Sequence, residues 1–179
     1  PWEKVLIYRG FERCRQWFPQ GGFVRLFPMQ GCTRLAAKLD IINGLLVKAL
    51  LFTGSLEFPG VQAQVGEVVA WRNLFWSLTD AMHGNASEWM NGVYLPSTQA
   101  LQAYRVLAPQ AYTDIKKIIE QVVASGLIYL PSGSRDLKDP VLNQYLGTYC
   151  RGSGGMGHEE RIKILKLLWD AIGTEFGGR

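Results

Sequence analysis

Apolar residues near the end of the chain recur at spacings of three and four: Ile162, Leu165, Trp169 and Ile172, with Ile164 and Leu168 widening the stripe. That period predicts an amphipathic helix from Arg161 to Ile172, stopped by Gly173 acting as a left-handed cap. The same period recurs upstream. From Gln30 to about Thr53 the stripe is Leu35, Leu39, Ile42, Leu46 and Leu50, with Ala36, Ala37, Gly44 and Ala49 as small residues for close packing. From Val61 to about Met82 it is Val61, Val65, Val68, Phe75 and Met82, and Pro59 stands at a helix start. The most regular run follows Ser97 and Thr98, either of which can cap it: Leu101, Tyr104, Ala108, Ala111, Ile115, Ile118 and Val122 alternate three and four, the seam of an antiparallel bundle. Pro109 inside that run predicts a kink. A further short helix is expected over Pro140–Tyr149. Four long helices with short connections make an all-α protein, an antiparallel four-helix bundle.

The remaining segments break the period. Val5 to Tyr8 is a short apolar run, read as a β-strand leaving an earlier domain. Gly10 to Pro28 mixes Arg13, Arg15 and Arg25 with Phe11, Trp17, Phe18, Phe23 and Phe27 between prolines and glycines, which predicts a short helix and a loop. Such a mixture suits an anion or an aromatic ligand, but aromatics packed under a loop with solvated arginines explain it more simply. Gly84 to Pro96 is expected to be a loop carrying Trp89 and Tyr94.

Composition narrows the function classes. Of the 179 residues 47% are apolar, enough for a proper core, and the net charge of +4 comes from scattered Lys and Arg. Without a basic stripe or a reading module, nucleic-acid binding has no support. Lys38, Asp40, Lys48 and Arg72 interrupt the longest apolar stretches, so no run approaches the ~20 residues of a membrane span. Cys14, Cys32 and Cys150 fall at unrelated spacings, with only His83 and His158 as further soft ligands. That is no metal pattern, and reduced, buried thiols in a cytoplasmic protein are expected.

Three stretches offer chemistry. Gly152-Ser-Gly-Gly-Met-Gly157 matches G-x-G-x-x-G, with Glu175 at roughly the distance of a ribose-binding acid. A dinucleotide fingerprint needs a strand before it and a βαβ unit around it, and a helix is expected here instead, so a flexible inter-helix loop is the reading kept. Pro131-Ser-Gly-Ser-Arg135 holds the ingredients of a phosphate nest, and equally those of an ordinary turn with Ser134 or Asp136 capping the next helix. In Thr174-Glu-Phe-Gly-Gly-Arg179 the glycines allow close backbone approach and Phe176 offers a face for stacking. This segment follows the negative end of a helix, which disfavours a bare phosphate and favours a neutral flat ring such as a flavin or an aromatic substrate. Neither histidine pairs with a nucleophile, and no residue is assigned a catalytic role.

Longer strings carry more. Leu56-Glu-Phe-Pro-Gly-Val-Gln62, Gly66-Glu-Val-Val-Ala-Trp-Arg-Asn73, Tyr104-Arg-Val-Leu-Ala-Pro109, Ser125-Gly-Leu-Ile-Tyr-Leu-Pro-Ser132 and Trp169-Asp-Ala-Ile-Gly-Thr-Glu-Phe-Gly-Gly-Arg179 closely resemble the large, oxygenase component of the 4-hydroxyphenylacetate 3-monooxygenase family. The resemblance spans nearly the whole chain. It implies the acyl-CoA-dehydrogenase-like architecture, in which residues 1–29 would end a middle β-domain and connect it to a C-terminal helical bundle over residues 30–179 that forms homotetramers. It implies ortho-hydroxylation of a phenol such as 4-hydroxyphenylacetate with O2 and reduced FAD, the flavin coming from a separate NAD(P)H:flavin reductase. By the same resemblance Thr174, Glu175, Phe176 and Gly177 contact FAD, while the phenol-binding residues belong to earlier domains, so this segment alone should not catalyse. A 4-hydroxybutyryl-CoA dehydratase-like flavin lyase and a non-catalytic helical oligomerisation module are the alternatives.

Overall fold

The structure is a computed structural model describing residues 1–174. It is mainly helical: α1 (Phe11–Gln20), α2 (Phe23–Thr53), α3 (Pro59–Gly84), α4 (Thr98–Val123), α5 (Pro140–Tyr149) and α6 (His158–Gly173), with one hairpin of β1 (Ser87–Met90) and β2 (Val93–Leu95) between α3 and α4. The chain divides into two compact units. One comprises Pro1–Ala36 with Leu74–Pro109, the other Ala37–Asn73 with the chain from Gln110 onward.

In the first unit, Cys32 and Ala36 of α2, Phe75 and Met82 of α3, Leu95 of β2 and Leu101 of α4 are buried. Thr79, a buried polar residue, donates from Oγ1 to the Phe75 carbonyl at 2.9 Å, which removes the penalty of an unpaired hydroxyl. The hairpin corrects the expected loop. Asn91 and Gly92 both take positive φ, 49° and 75°, as a two-residue turn matching the strand twist requires. Arg25 fastens the hairpin's base, donating to the carbonyls of Leu95 (2.9 Å) and Pro96 and to Ser87 Oγ (2.8 Å).

The N-terminal expectation also changes. Val5–Tyr8 forms no strand; Trp2–Lys4 makes a single 3-10 turn, and Leu6 and Tyr8 stand exposed. A strand needs a neighbour for its backbone N–H and C=O groups, and none pairs with this run among the described residues. The following loop is shorter than expected, since α2 begins at Phe23 and carries Pro28 inside it. Residue 30, expected to open the bundle, therefore lies within a helix.

In the second unit the core comes from Leu39, Ile42, Leu46 and Leu50 of α2, Val65 and Val68 of α3, Ala111, Ile115 and Ile119 of α4, and Ile162, Leu165, Leu168 and Ile172 of α6. The end of α2 is a Schellman cap: Gly54 has φ 75°, its N–H reaches the Leu51 carbonyl, and the Ser55 N–H reaches that of Leu50. Helix α4 runs on through Pro109, which removes one ladder bond without ending the helix. Asp139, not Ser134 or Asp136, caps α5, its Oδ1 accepting from the N–H groups of Val141 and Leu142 at 2.9 Å each, with Pro140 at the first helical position.

Candidate functional site

The segment expected to meet a ligand is delivered by α6. Glu159 and Glu160 occupy its first turn, where the helix dipole favours them. Its buried stripe is Ile162, Leu165, Leu168 and Ile172, so Leu168 takes the position expected of Trp169, which is 42% exposed. Gly173 is not a left-handed cap: it remains helical, and its role is steric. A Cβ there would lie 2.9 Å from Cδ2 and Cε2 of Trp169, so only glycine lets the indole ring lie flat against the last turn.

At the end of α6 the orphan carbonyls are partly satisfied. Thr174 turns into extended backbone (φ −83°, ψ 160°) and donates its Oγ1 proton to the Asp170 carbonyl at 2.8 Å. Tyr112 on α4 reaches the Ile172 carbonyl with its hydroxyl at 3.5 Å, and burial pushes its phenol pKa above 10.0, keeping it a donor. Thr174 is thus held at a fixed exit from the helix. Glu175, Phe176 and Gly177, the other residues expected to bind a cofactor, lie outside the described residues.

The competing stretches resolve differently. In the turn Pro131–Arg135 the N–H of Gly133 and the hydroxyl of Ser132 both approach Asp136 Oδ2, at 3.5 and 3.3 Å. The chain's own carboxylate takes the donors a phosphate would need. The glycine-rich loop joins α5 to α6 through a 3-10 turn at Ser153–Gly155, a helix–loop–helix with no strand before it. Gly154 and Gly155 are left-handed there, and Gly152 packs so closely that a Cβ would meet Met156 Cβ at 3.0 Å.

His158 Nε2 lies 2.7 Å from Asn143 Oδ1, tying α6 to α5, and His83 is exposed at the end of α3. Of the three cysteines expected to be buried, Cys32 is, whereas Cys14 on the open helix α1 is exposed and Cys150 is half-buried. The Cys32 thiol lies 3.5 Å from both the Thr79 hydroxyl and the Phe75 carbonyl, and desolvation pushes its pKa above 9.0. A proton-bearing buried thiol is a poor nucleophile. No cluster of three metal-ligating side chains occurs among the described residues.

The aromatic and arginine mixture expected to be packed under a loop is carried by helices instead. In the first unit Phe18, Phe23 and Phe27 lie ring to ring, 5.2 and 5.3 Å between centroids, beside a cavity of about 320 Å³ that Tyr104, Arg34 and Arg105 also line. Period-three-and-four spacing of Phe23 and Phe27 with Arg34 is the available signal, hidden by the expectation of a loop. Arg25, grouped with these residues in the sequence, is engaged by the hairpin.

Comparison with known proteins places these observations. Residues 14–179 match the family model HpaB, described as 4-hydroxyphenylacetate 3-hydroxylase C terminal. The chain is 83% identical over 179 residues to the oxygenase component of 4-hydroxyphenylacetate 3-monooxygenase from Pseudomonas aeruginosa, covering all of this chain and 34% of that protein. It is 64% identical to the Escherichia coli oxygenase component over the same shares. A crystal structure of an HpaB oxygenase component complexed with FAD and 4-hydroxyphenylacetate superposes with a TM-score of 0.91 at 28% identity, covering 100% of this chain and 37% of that one. The chain therefore spans about a third of the length of the relatives it matches.

Proposed function

Since the chain belongs to the HpaB 4-hydroxyphenylacetate 3-hydroxylase C-terminal family, we propose that it is the C-terminal helical part of the oxygenase component of a two-component, reduced-FAD-dependent phenol monooxygenase. The observation that carries this is the 83% identity, which runs over every residue of the chain. In this reading residues 1–29 follow a middle β-domain and connect it, through α1 and the first turns of α2, to an antiparallel four-helix bundle of the acyl-CoA dehydrogenase C-terminal type that assembles as homotetramers in the cytoplasm. A separate NAD(P)H:flavin reductase supplies reduced FAD, and the substrate is a phenol such as 4-hydroxyphenylacetate.

The flavin's part is to activate O2 for transfer to the ring. This chain's part is to hold and shield that flavin through Thr174, Glu175, Phe176 and Gly177. The described end of α6 supports the role: its last carbonyls suit the N–H edge of a neutral ring, and the negative helix end does not suit phosphate. Phe176 would stack near the ring and exclude water, while the phenol-binding groups lie in the preceding polypeptide.

Phe176→Ala in the full-length oxygenase tests the reading. Expected is a rise in free hydrogen peroxide per NADH consumed, with weaker reduced-FAD affinity. Unchanged coupling together with unchanged affinity overturns the assigned segment. Absence of a hydroxylated product when full-length protein receives reduced FAD and a panel of phenols overturns the activity itself.

A further inference from the structure

Gly173 is the last residue of α6 and keeps a helical backbone, so no left-handed conformation asks for glycine there. Within a helix glycine is destabilising relative to alanine, because it gives up more backbone freedom on folding. What glycine provides at 173 is a seat. The fused ring of Trp169, one turn earlier, lies over it: a Cβ at 173 would come within 2.9 Å of Cδ2 and Cε2 and 3.0 Å of Cε3. The buried stripe of α6 does not need this ring, since Leu168 fills the core beside it and Trp169 is 42% exposed. Stability alone would be served as well by alanine at 173 and a smaller residue at 169. The pairing stands instead where the chain leaves the helix. Two further contacts fix the same turn: Thr174 Oγ1 donates to the Asp170 carbonyl at 2.8 Å, and the Tyr112 hydroxyl reaches the Ile172 carbonyl at 3.5 Å. Thr174 itself departs at φ −83° and ψ 160°.

We infer that Trp169 is a positioning residue for the cofactor, acting through the exit of α6. Seated on Gly173, the indole braces the last turn, so that Thr174 and the residues after it depart in one direction. The inference rests on the reading that Thr174, Glu175, Phe176 and Gly177 meet the flavin. A rigid planar ring suits the task, because its few side-chain torsions leave it few orientations. With only glycine beneath it the ring lies flush, and it resists displacement where a flexible chain would yield. A binding segment held in this way arrives already ordered, which removes part of the entropy cost of gripping a ligand. Misplacing it by about an ångström, by contrast, can cost about 10²-fold in rate.

The test uses the full-length oxygenase and three readouts: reduced-FAD affinity by anaerobic titration, free hydrogen peroxide per NADH consumed, and the thermal unfolding midpoint. Trp169→Leu should weaken reduced-FAD affinity by about 10- to 10²-fold and raise the peroxide yield. Trp169→Phe, which keeps a ring, should restore most of both. Gly173→Ala, which pushes the ring off its seat, should act as Trp169→Leu does. The double variant Gly173→Ala/Trp169→Leu should bind no more weakly than Trp169→Leu alone, because both changes act through one ring. Leu165→Ala supplies the comparison. It empties part of the buried stripe of the same helix, so it should lower the unfolding midpoint and leave affinity unchanged. If Trp169→Leu only lowers the midpoint, as Leu165→Ala does, the inference is overturned. Additive losses in the double variant, or no recovery with phenylalanine, overturn it as well. Phe176→Ala separates this result from the proposed segment. Weaker flavin binding in Phe176→Ala but not in Trp169→Leu leaves the segment assigned and removes the indole. A loss at Trp169 with none at Phe176 would make the indole a direct contact instead of a brace, and no loss at either ends both proposals.

Discussion

A methyl group at position 173 would meet the Trp169 ring 2.9 Å away, and a fused indole cannot step aside as a flexible chain end does. Gly173→Ala gains about 1 kcal/mol of helix propensity but introduces overpacking of about 1–3 kcal/mol, so a net loss of stability is expected by chemical denaturation. Trp169→Ala in the same chain should abolish that loss, and additive effects of the two changes would show that the ring is not the obstacle. A second consequence rests on burial. Desolvation holds the Cys32 thiol above its ordinary 9.0, opposed by the Thr79 hydrogen bond. Burial likewise holds Tyr104 above 10.0, assisted by Cys32 and opposed by Arg34. In the unfolded chain these groups lose protons at their ordinary values while the folded chain retains them. Their contribution is therefore complete below pH 9 and is lost as pH climbs from there through the raised folded values. Urea midpoints should fall more steeply above pH 9 than below it, and Cys32→Ala, though less stable at every pH, should show a shallower fall. Parallel curves for the two proteins would exclude the thiol.

Helices whose apolar residues keep a strict period are legible from the sequence alone: Leu39, Ile42, Leu46 and Leu50 in α2, Val65, Val68, Phe75 and Met82 in α3, and Ala111 and Ile115 in α4 are buried as their spacing requires. The departures have local causes. Asn91-Gly92 between Met90 and Val93 signals the hairpin, but its strands are so short and so exposed that no alternation of burial marks them. Val5–Tyr8 has strand-like residues and no partner, so propensity alone could not decide it. Leu168 displaces Trp169 from the α6 core because two neighbouring apolar residues satisfy the same period, and only packing distinguishes them. Glycines within one helix separate in the same way. Gly44 of α2 has open space where a Cβ would stand, so Gly44→Ala should stabilise by about 0.5–1 kcal/mol. At Gly31 of the same helix a Cβ would lie 2.7 Å from the Tyr104 hydroxyl, and alanine there should destabilise by about 1–3 kcal/mol. Tyr104→Phe should relieve most of that loss. Thermal unfolding of Gly44→Ala, Gly31→Ala, Tyr104→Phe and the Gly31→Ala/Tyr104→Phe double variant reads all of this, and a destabilising Gly44→Ala would mean that α2 is covered at that point.

For the molecule as a whole, architecture is easier to read than chemistry, because a core repeats and a site does not. The segment proposed to meet the flavin stands out through long strings shared with a family and through the glycines that follow Phe176; no period or spacing marks it. The protonation states of the described residues bear on the reaction as well. Tyr104 and Tyr112 are held protonated by burial, Cys32 likewise, and His158 is engaged by Asn143. General acid–base groups contribute about 10²- to 10⁴-fold each to enzymatic rates, and the proposed reading puts those that act on the phenol in the preceding polypeptide. The 179-residue chain, given reduced FAD, O2 and 4-hydroxyphenylacetate, should therefore consume oxygen only at the rate of free flavin and yield no hydroxylated product, while its far-ultraviolet circular dichroism remains strongly helical. Adding the full-length protein to the same mixture should start product formation. Turnover by the short chain alone would mean that the groups acting on the phenol lie within these residues, and the division of labour proposed between the two parts of the polypeptide would have to be abandoned.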